Sequence, residues 1–168
     1  MTSMEEIRSS MTAEDAKRME VAKRNRAVIL AALAAAGVAQ VVANYSGSGD
    51  SGAFDAFAFR KEAEEVEEGC ADDVARADLG EAEAVDVSAI KVTVEYVGFN
   101  AKPLRSPEEV MLQEAVERLF DDHLEALHGG WENNDGGEGQ FVWTIATDHL
   151  ALVHRDFYIQ SDRSDHEL

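Results

Sequence analysis

The sequence lacks most features of secreted and membrane-spanning proteins. Its 168 residues include a single cysteine, Cys70, so the chain can form neither an internal disulfide framework nor a cluster of thiolate metal ligands. The longest apolar run, residues 27–37, falls short of the roughly 20 residues that a membrane span needs. Acidic residues precede this run, whereas a secretory signal begins with basic ones. We therefore predict a cytoplasmic protein without a membrane partner.

Several motifs of known chemistry are also missing. There is no phosphate-binding loop ending in Lys, no dinucleotide fingerprint and no surface pattern that interleaves aromatic and basic residues. No two histidines have the i, i+4 spacing of a helical zinc site. We therefore predict no cofactor and no direct binding of nucleic acid, and we lean against an enzyme.

Negative charge is the dominant feature of the composition. The formal net charge is −19, and residues 62–86 alone hold eleven acids and one base. A field of this sign repels nucleic acid phosphates and attracts basic protein surfaces. An acidic composition is equally typical of a well-solvated surface without a partner. Charge alone therefore does not decide between a partner-binding and a merely solvated surface.

Hydrophobic spacing predicts two helices. Apolar residues at helical spacing favour a helix from near Thr12 to the glycine stop at Gly37. The second helix is predicted to begin at Ser106-Pro107-Glu108-Glu109, since a Ser cap, a first-turn Pro and an early Glu are typical of a helix start. It ends before Gly129 and Gly130.

Alternating and β-branched residues predict about five strands. The predicted strands are 38–45 and 54–59 around a loop at 46–52, then 87–99, then 140–146 and 150–159 after a loop at 131–139. Residues 1–11 are predicted as a loose tail, 62–86 as an acidic insertion and 161–168 as an acidic tail. The fold class predicted for residues 1–168 is one α+β domain, with a largely antiparallel sheet and two main helices on one face.

Two Gly- and Asp-containing loops are the candidates for a small-molecule or ion site. The loop site comprises Asp50, Ser51, Trp131, Asn133, Asn134 and Asp135. The residues after Trp131 do not fit the EF-hand register, so we predict no metal site, with Asp50, Asp135 and Glu138 as weak candidates. For acid–base catalysis the candidates are His154, Asp156 and Glu132, because His154 could share a cleft with the Trp131 loop.

Two segments carry a family resemblance. His128-Gly129-Gly130-Trp131-Glu132-Asn133-Asn134-Asp135-Gly136 follows a Leu-rich helix, and Tyr45-Ser46-Gly47-Ser48-Gly49-Asp50-Ser51-Gly52 follows an Ala-rich one. Together they resemble an uncharacterised bacterial family that is often found on plasmids and other mobile elements. The resemblance covers most of residues 20–160. It implies a genomic setting and no activity.

Charge and resemblance together favour a binding protein as the first hypothesis. An inhibitor from a mobile element would block a nucleic-acid-binding defence complex, of the anti-CRISPR or anti-restriction type, by occupying basic sites meant for phosphate. The predicted contact residues are Glu62, Glu64, Glu65, Glu67, Glu68, Asp72 and Asp73. The alternatives are a metal-dependent or acid–base enzyme that uses the 47–52 and 131–138 loops, and a structural or regulatory module without a site.

Overall fold

A computed structural model of the chain describes residues 4–49, 51–64, 83–95 and 107–167. These residues form two helices and six strands. The elements are α1 (Met4–Ala35), β1 (Gln40–Gly49), β2 (Ser51–Arg60), β3 (Lys91–Val94), β4 (Glu108–Met111), α2 (Leu112–His128), β5 (Asn134–Thr144) and β6 (His149–Asp156). No helix in the described ranges has the length and apolarity needed to cross a membrane.

The strands form two separate antiparallel sheets. The main sheet has four strands in the order β2-β1-β5-β6, and β3 pairs with β4 in a small second sheet. The predicted α+β class with a largely antiparallel sheet is therefore confirmed. The division into two sheets was not predicted.

Both helices pack on one face of the main sheet. Phe120 of α2 stacks on Phe141 of β5 at a centroid distance of 4.5 Å and meets the edge of Trp143. Arg26 of α1 lies over the Trp143 ring at 5.6 Å. Phe141 and Trp143 are two residues apart and fully buried, so they project from the same face of the sheet. This face, with the helices on it, forms the hydrophobic core.

The first helix begins earlier than the sequence indicated. It starts at Met4, so residues 4–11 are helical where a loose tail was expected. Its second half is fixed by polar contacts. Asn25 exchanges two hydrogen bonds of 2.9 Å with the backbone of Glu95, and Arg26 pairs with Asp148 in the β5–β6 turn. These contacts hold α1 against both sheets.

The region around Pro107 differs most from its prediction. Residues 108–111 form β4, although their sequence looks like the first turn of a helix, and α2 begins only at Leu112 without a side-chain cap. Pairing with β3 gives the backbone of residues 108–111 hydrogen-bond partners along one edge, and this tertiary pairing outweighs the local capping signal. Of the expected strand 87–99, residues 91–94 form β3, whereas residues 87–90 and 95 are not strand. Ser106 and residues 96–99 lie outside the described ranges.

The predicted loops are largely strand. Residues 46–49 extend β1 and residues 51–52 extend β2, so the first hairpin is paired out to Ser48 and Ser51. Residues 134–139 belong to β5. Runs of glycine look like loops by composition, yet in this chain they let neighbouring backbones and rings approach closely. Residues 157–167 follow β6 without helix or strand and are exposed.

Candidate functional site

One transverse row of residues crosses all four strands of the main sheet. Phe54 pairs with Tyr45, Tyr45 with Gly139, and Gly139 with His154. A Cβ atom on Gly139 would lie 2.2 Å from the Tyr45 hydroxyl oxygen. The missing side chain at Gly139 therefore lets Tyr45 reach across β5 to β6.

The Tyr45 hydroxyl and His154 form the buried part of the site. The hydroxyl oxygen lies 2.6 Å from Nδ1 of His154, and Nε2 of the same ring lies 2.9 Å from Oδ1 of Asp156. A carboxylate at Nε2 accepts the proton of the neutral ring there, so Nδ1 accepts the hydrogen bond that the Tyr45 hydroxyl donates. Burial and the Asp156 charge raise the pKa of Tyr45 well above its usual range, so the phenol stays protonated.

Exposure changes sharply across this short chain of hydrogen bonds. The side chain of His154 is 3% exposed and Tyr45 is 1% exposed, whereas the side chain of Asp156 is 71% exposed. Tyr45 is thus too deeply buried to meet a substrate. The accessible end of the hydrogen-bonded chain is the Asp156 carboxylate.

A second histidine joins the site from the end of α2. The ring of His128 stacks on the ring of His154 with centroids 4.0 Å apart and an angle of 26° between the planes. Gly129 follows as the C-cap, and Gly130 adopts a positive φ of 75°, which turns the chain sharply out of the helix. The turn leaves His128 at the helix end facing β6.

Trp131 packs on two of the three glycines of the first hairpin, Gly47 and Gly52. A Cβ atom on Gly52 would lie 2.3 Å from the Trp131 ring, and one on Gly47 would lie 2.9 Å from it. The ring meets Tyr45 edge-on at 5.0 Å and His154 edge-on at 6.5 Å. The two segments that carry the family resemblance therefore meet in space, and Trp131 closes one side of the Tyr45–His154 pair.

The remaining loop candidates are used in other contacts or face elsewhere. Asp135 accepts a hydrogen bond from the backbone nitrogen of Ile159 at 2.8 Å, and Glu138 pairs with Arg155 at 3.3 Å.

Ser51 and Asn133 are exposed. The side chain of Asn134, and Asp50 as a whole, lie outside the described residues.

Glu132 points to a different neighbourhood from His154. Its Cβ lies 3.1 Å from the Cβ position of Gly52, and its charge contributes to raising the pKa of Asp121. Its Oε2 atom is buried and has no hydrogen-bond partner among the described residues. Of the three catalytic candidates, the structure thus brings together His154 and Asp156 and places Glu132 beside α2.

A cleft of about 360 Å³ lies between α2 and the first hairpin, next to Trp131. Its polar lining is Glu114, Glu117, Arg118 and Asp121 of α2. The exposed side of α2 carries five acids and one base, Arg118, and we call these acids the α2 acidic face. They are Glu114, Glu117, Asp121, Asp122 and Glu125.

The carboxylates of the α2 acidic face repel one another. Burial, and secondly the charge of Glu132, raise the pKa of Asp121. Burial and the charge of Asp121 raise the pKa of Asp122, and the opposing effect of Arg118 is smaller. Arg118 itself pairs with Glu114 and with Glu108. The face thus holds more negative charge than its own base neutralises.

Most of the predicted partner-binding acids lie outside the described residues. These are Glu65, Glu67, Glu68, Asp72 and Asp73. Glu62 is exposed, and Glu64 lies 3.4 Å from the guanidinium of Arg60 while its own side chain stays 62% exposed. These two acids remain accessible to a partner.

Sequence reasoning missed His128, Tyr45 and the α2 acidic face as site components. His128 has no histidine partner at helical spacing, because its partner comes from β6. The sequence pattern predicted Tyr45 as an ordinary strand residue. The only signal that its side chain reaches β6 is the glycine opposite it, Gly139. The acids of α2 look like a solvated helix face until the cleft and Glu132 are placed beside them.

Comparison with known proteins identifies the family alone. No curated protein and no solved structure is significantly similar to the chain. Residues 21–168 match a family of unknown function, DUF6878. The match includes both resemblance segments and every element except the first part of α1. The chain therefore belongs to this family of unknown function.

Proposed function

We propose that the chain acts by binding a basic protein partner through its acidic surface. The observation that carries the proposal is the α2 acidic face, where five exposed acids surround one arginine beside a cleft. The net charge of −19 adds a long-range field of the same sign. Complementary charge of this kind mainly speeds association and selects the partner.

Lysine and arginine side chains of a partner fit the cleft chemically. Glu117 and Asp121 line the cleft together with Trp131, and the buried Oε2 of Glu132 lies nearby without a partner among the described residues. A cationic side chain that enters the cleft contacts carboxylates and the Trp131 ring. It would also reduce the repulsion between carboxylates, which adds to burial in raising the pKa values of Asp121 and Asp122.

More specifically, we propose that the chain inhibits a nucleic-acid-binding defence complex. Acidic side chains would occupy lysine and arginine sites that otherwise hold phosphate, as an anti-CRISPR or anti-restriction protein from a mobile element would. The predicted contacts Glu62 and Glu64 are further accessible acids outside α2. The support for this form is charge and the absence of a basic nucleic-acid surface from the sequence.

Capture from host lysate, after nuclease treatment, tests the proposal. The tagged chain is compared with a variant of the α2 acidic face, Glu114→Gln, Glu117→Gln, Asp121→Asn and Glu125→Gln. A control variant neutralises the exposed tail acids Asp162, Asp165 and Glu167. We expect a nucleic-acid-binding protein that is captured at low salt, released at higher salt, lost with the α2 variant and retained with the control. Equal capture by both variants, or no capture, would argue against the proposal.

A second candidate is an acid–base enzyme centred on His154. The observation in its favour is the hydrogen-bonded chain from Tyr45 through His154 to the exposed Asp156. A carboxylate hydrogen-bonded to an imidazole is one part of the usual arrangement of a general base. Turnover of chromogenic ester or phosphoester substrates, lost with Asp156→Asn, would support this candidate, and inactivity of the intact chain on the whole panel would count against it.

A further inference from the structure

We propose that His128, His154 and Asp156 form a binding site for a divalent transition metal ion of the zinc type. Each residue offers one ligand atom, and the three atoms lie within 4.8 Å of one another. This site lies apart from the α2 acidic face, and its occupation needs no basic protein partner.

The distances suit a small ion with modest side-chain adjustment. In a tetrahedral site with metal–ligand bonds of about 2.0–2.2 Å, neighbouring ligand atoms are roughly 3.3 Å apart. Nε2 of His154 and Oδ1 of Asp156 are already 2.9 Å apart. His128 ends its helix and is partly exposed, and Asp156 is 71% exposed, so both side chains have room to rotate toward the ion.

His154 provides the fixed point of the site. Its side chain is almost fully buried, and its Nδ1 atom is held by the Tyr45 hydroxyl at 2.6 Å. Metal-binding histidines are typically held in this way, with one ring nitrogen hydrogen-bonded and the other directed at the ion. The ring orientation leaves Nε2 directed toward Asp156 at the surface. When the ion binds Nε2, the ring proton moves to Nδ1, and Tyr45 becomes the acceptor.

The ligand types select the class of metal. Two imidazole nitrogens and one carboxylate favour zinc and neighbouring transition metals, whereas calcium and magnesium require mostly oxygen ligands. Three protein ligands leave a fourth position for water in a tetrahedral site. The weak sequence candidates Asp135 and Glu138 are used elsewhere, in the contacts with Ile159 and Arg155.

Glycines keep the space beside these ligands open. A Cβ atom on Gly137 would lie 3.1 Å from Cε1 of His154, and the bare Gly139 lets Tyr45 reach the same ring. Gly137 pairs directly with Asp156 in the sheet. Gly137 and Gly139 of β5 therefore leave room for His154 and Asp156 on the adjacent strand.

A hydrogen-bonded histidine with an acidic neighbour also occurs as a purely structural feature. Titration of the full chain with Zn²⁺ distinguishes a metal site from such a structural cluster. We expect one Zn²⁺ per chain, with affinity lowered more than about tenfold by His128→Ala and by Asp156→Asn. His149→Ala and His166→Ala remove exposed histidines outside the cluster and leave the affinity unchanged. Tyr45→Phe, which keeps all three ligands, lowers it by roughly 10- to 100-fold.

The replaced ligands are at least partly exposed, and circular dichroism without metal establishes that each variant is folded. Co²⁺ in place of Zn²⁺ is expected to give the visible absorption of a tetrahedral site in the unmodified chain and to lose it in His128→Ala. Absence of stoichiometric Zn²⁺ uptake would overturn the proposal. So would uptake that survives the combined His128→Ala and Asp156→Asn variant. Neither result depends on capture of a protein partner, so this inference and the proposed function fail separately.

Discussion

The hydroxyl of Tyr45 reaches Nδ1 of His154 across Gly139, the residue that stands between them in the sheet. Tyr45 and His154 belong to strands that do not pair with each other. Any side chain on Gly139 would fill the space that the Tyr45 ring uses. The position of the candidate metal site thus depends on a glycine that contributes no polar group.

Gly139→Ala is expected to destabilise the chain. The new methyl group would lie 2.2 Å from the Tyr45 hydroxyl and 2.3 Å from the Val153 carbonyl oxygen, so β5 or the Tyr45 ring must move. Overpacking of this kind costs about 1–3 kcal/mol of unfolding free energy. Denaturant unfolding measures the loss, and a variant as stable as the original chain would contradict the described packing.

Tyr45→Phe isolates the hydrogen bond from the packing. The substitution keeps the ring and removes the group that bonds to His154, so the free energy of unfolding should fall by about 1 kcal/mol. The matched control is Tyr158→Phe, since Tyr158 is 81% exposed and should not change stability. Equal stability of both variants would mean that the Tyr45 hydroxyl contributes nothing to the fold.

Gly52→Ala tests the contact between the two resemblance segments. The added Cβ would lie 2.3 Å from the Trp131 ring and should displace it, at a cost of about 1–3 kcal/mol. Displacement exposes the indole, so its fluorescence emission is expected to shift to longer wavelength. Ser51→Ala is the control, because Ser51 is exposed and adjacent. If both variants had the same emission spectrum, Trp131 would not lie on Gly52.

The raised pKa of Asp121 makes the effect of its replacement on folding stability depend on pH. Because the folded-state pKa is raised above the unfolded value of about 3.9, ionisation of Asp121 is less favourable in the folded chain, and its contribution to stability falls as pH rises between these two values. Asp121→Asn should therefore raise stability at neutral pH, by up to about 0.5 kcal/mol at this exposed site, and lose that advantage below the unfolded pKa.

Thermal melting of Asp121→Asn at several pH values, beside Asp162→Asn in the exposed tail, makes this comparison. The tail variant is expected to behave like the original chain at every pH. A gain by Asp121→Asn at acid pH that disappears at neutral pH would reverse the expected sign. It would show that Asp121 is stabilised in its ionised form.

Local patterns were sufficient for the fold class and insufficient for the strand limits. Helical spacing placed α2, and alternation placed β3 and the β5–β6 hairpin. At residues 108–111 the helix-start signature lost to pairing with β3, because a partner strand satisfies more backbone groups than a cap does. A pattern in one sequence does not show which of the two, helix capping or strand pairing, is more stable at these residues.

In the candidate site, too, local sequence predicted some residues, and only tertiary packing brings in the others. His154 and Asp156 stand two residues apart on β6, so the sequence alone suggested that they act together. His128 and Tyr45 join them through contacts that span 26 and 109 positions of the chain, and only the packing of α2 and β1 against the sheet creates those contacts. Glycines that looked like loop residues, Gly52 and Gly139, proved to be the surfaces on which rings rest.

The most direct test of the proposed function is carbodiimide cross-linking of the chain to the partner that it captures, followed by mass spectrometry. This reagent joins carboxylates to lysines in contact and so reports which acids lie at the interface. We expect cross-links from Glu117, Asp121 and Glu125 of the α2 acidic face to partner lysines that also contact phosphate. Cross-links confined to the tail acids Asp162, Asp165 and Glu167, with none from α2, would contradict the account.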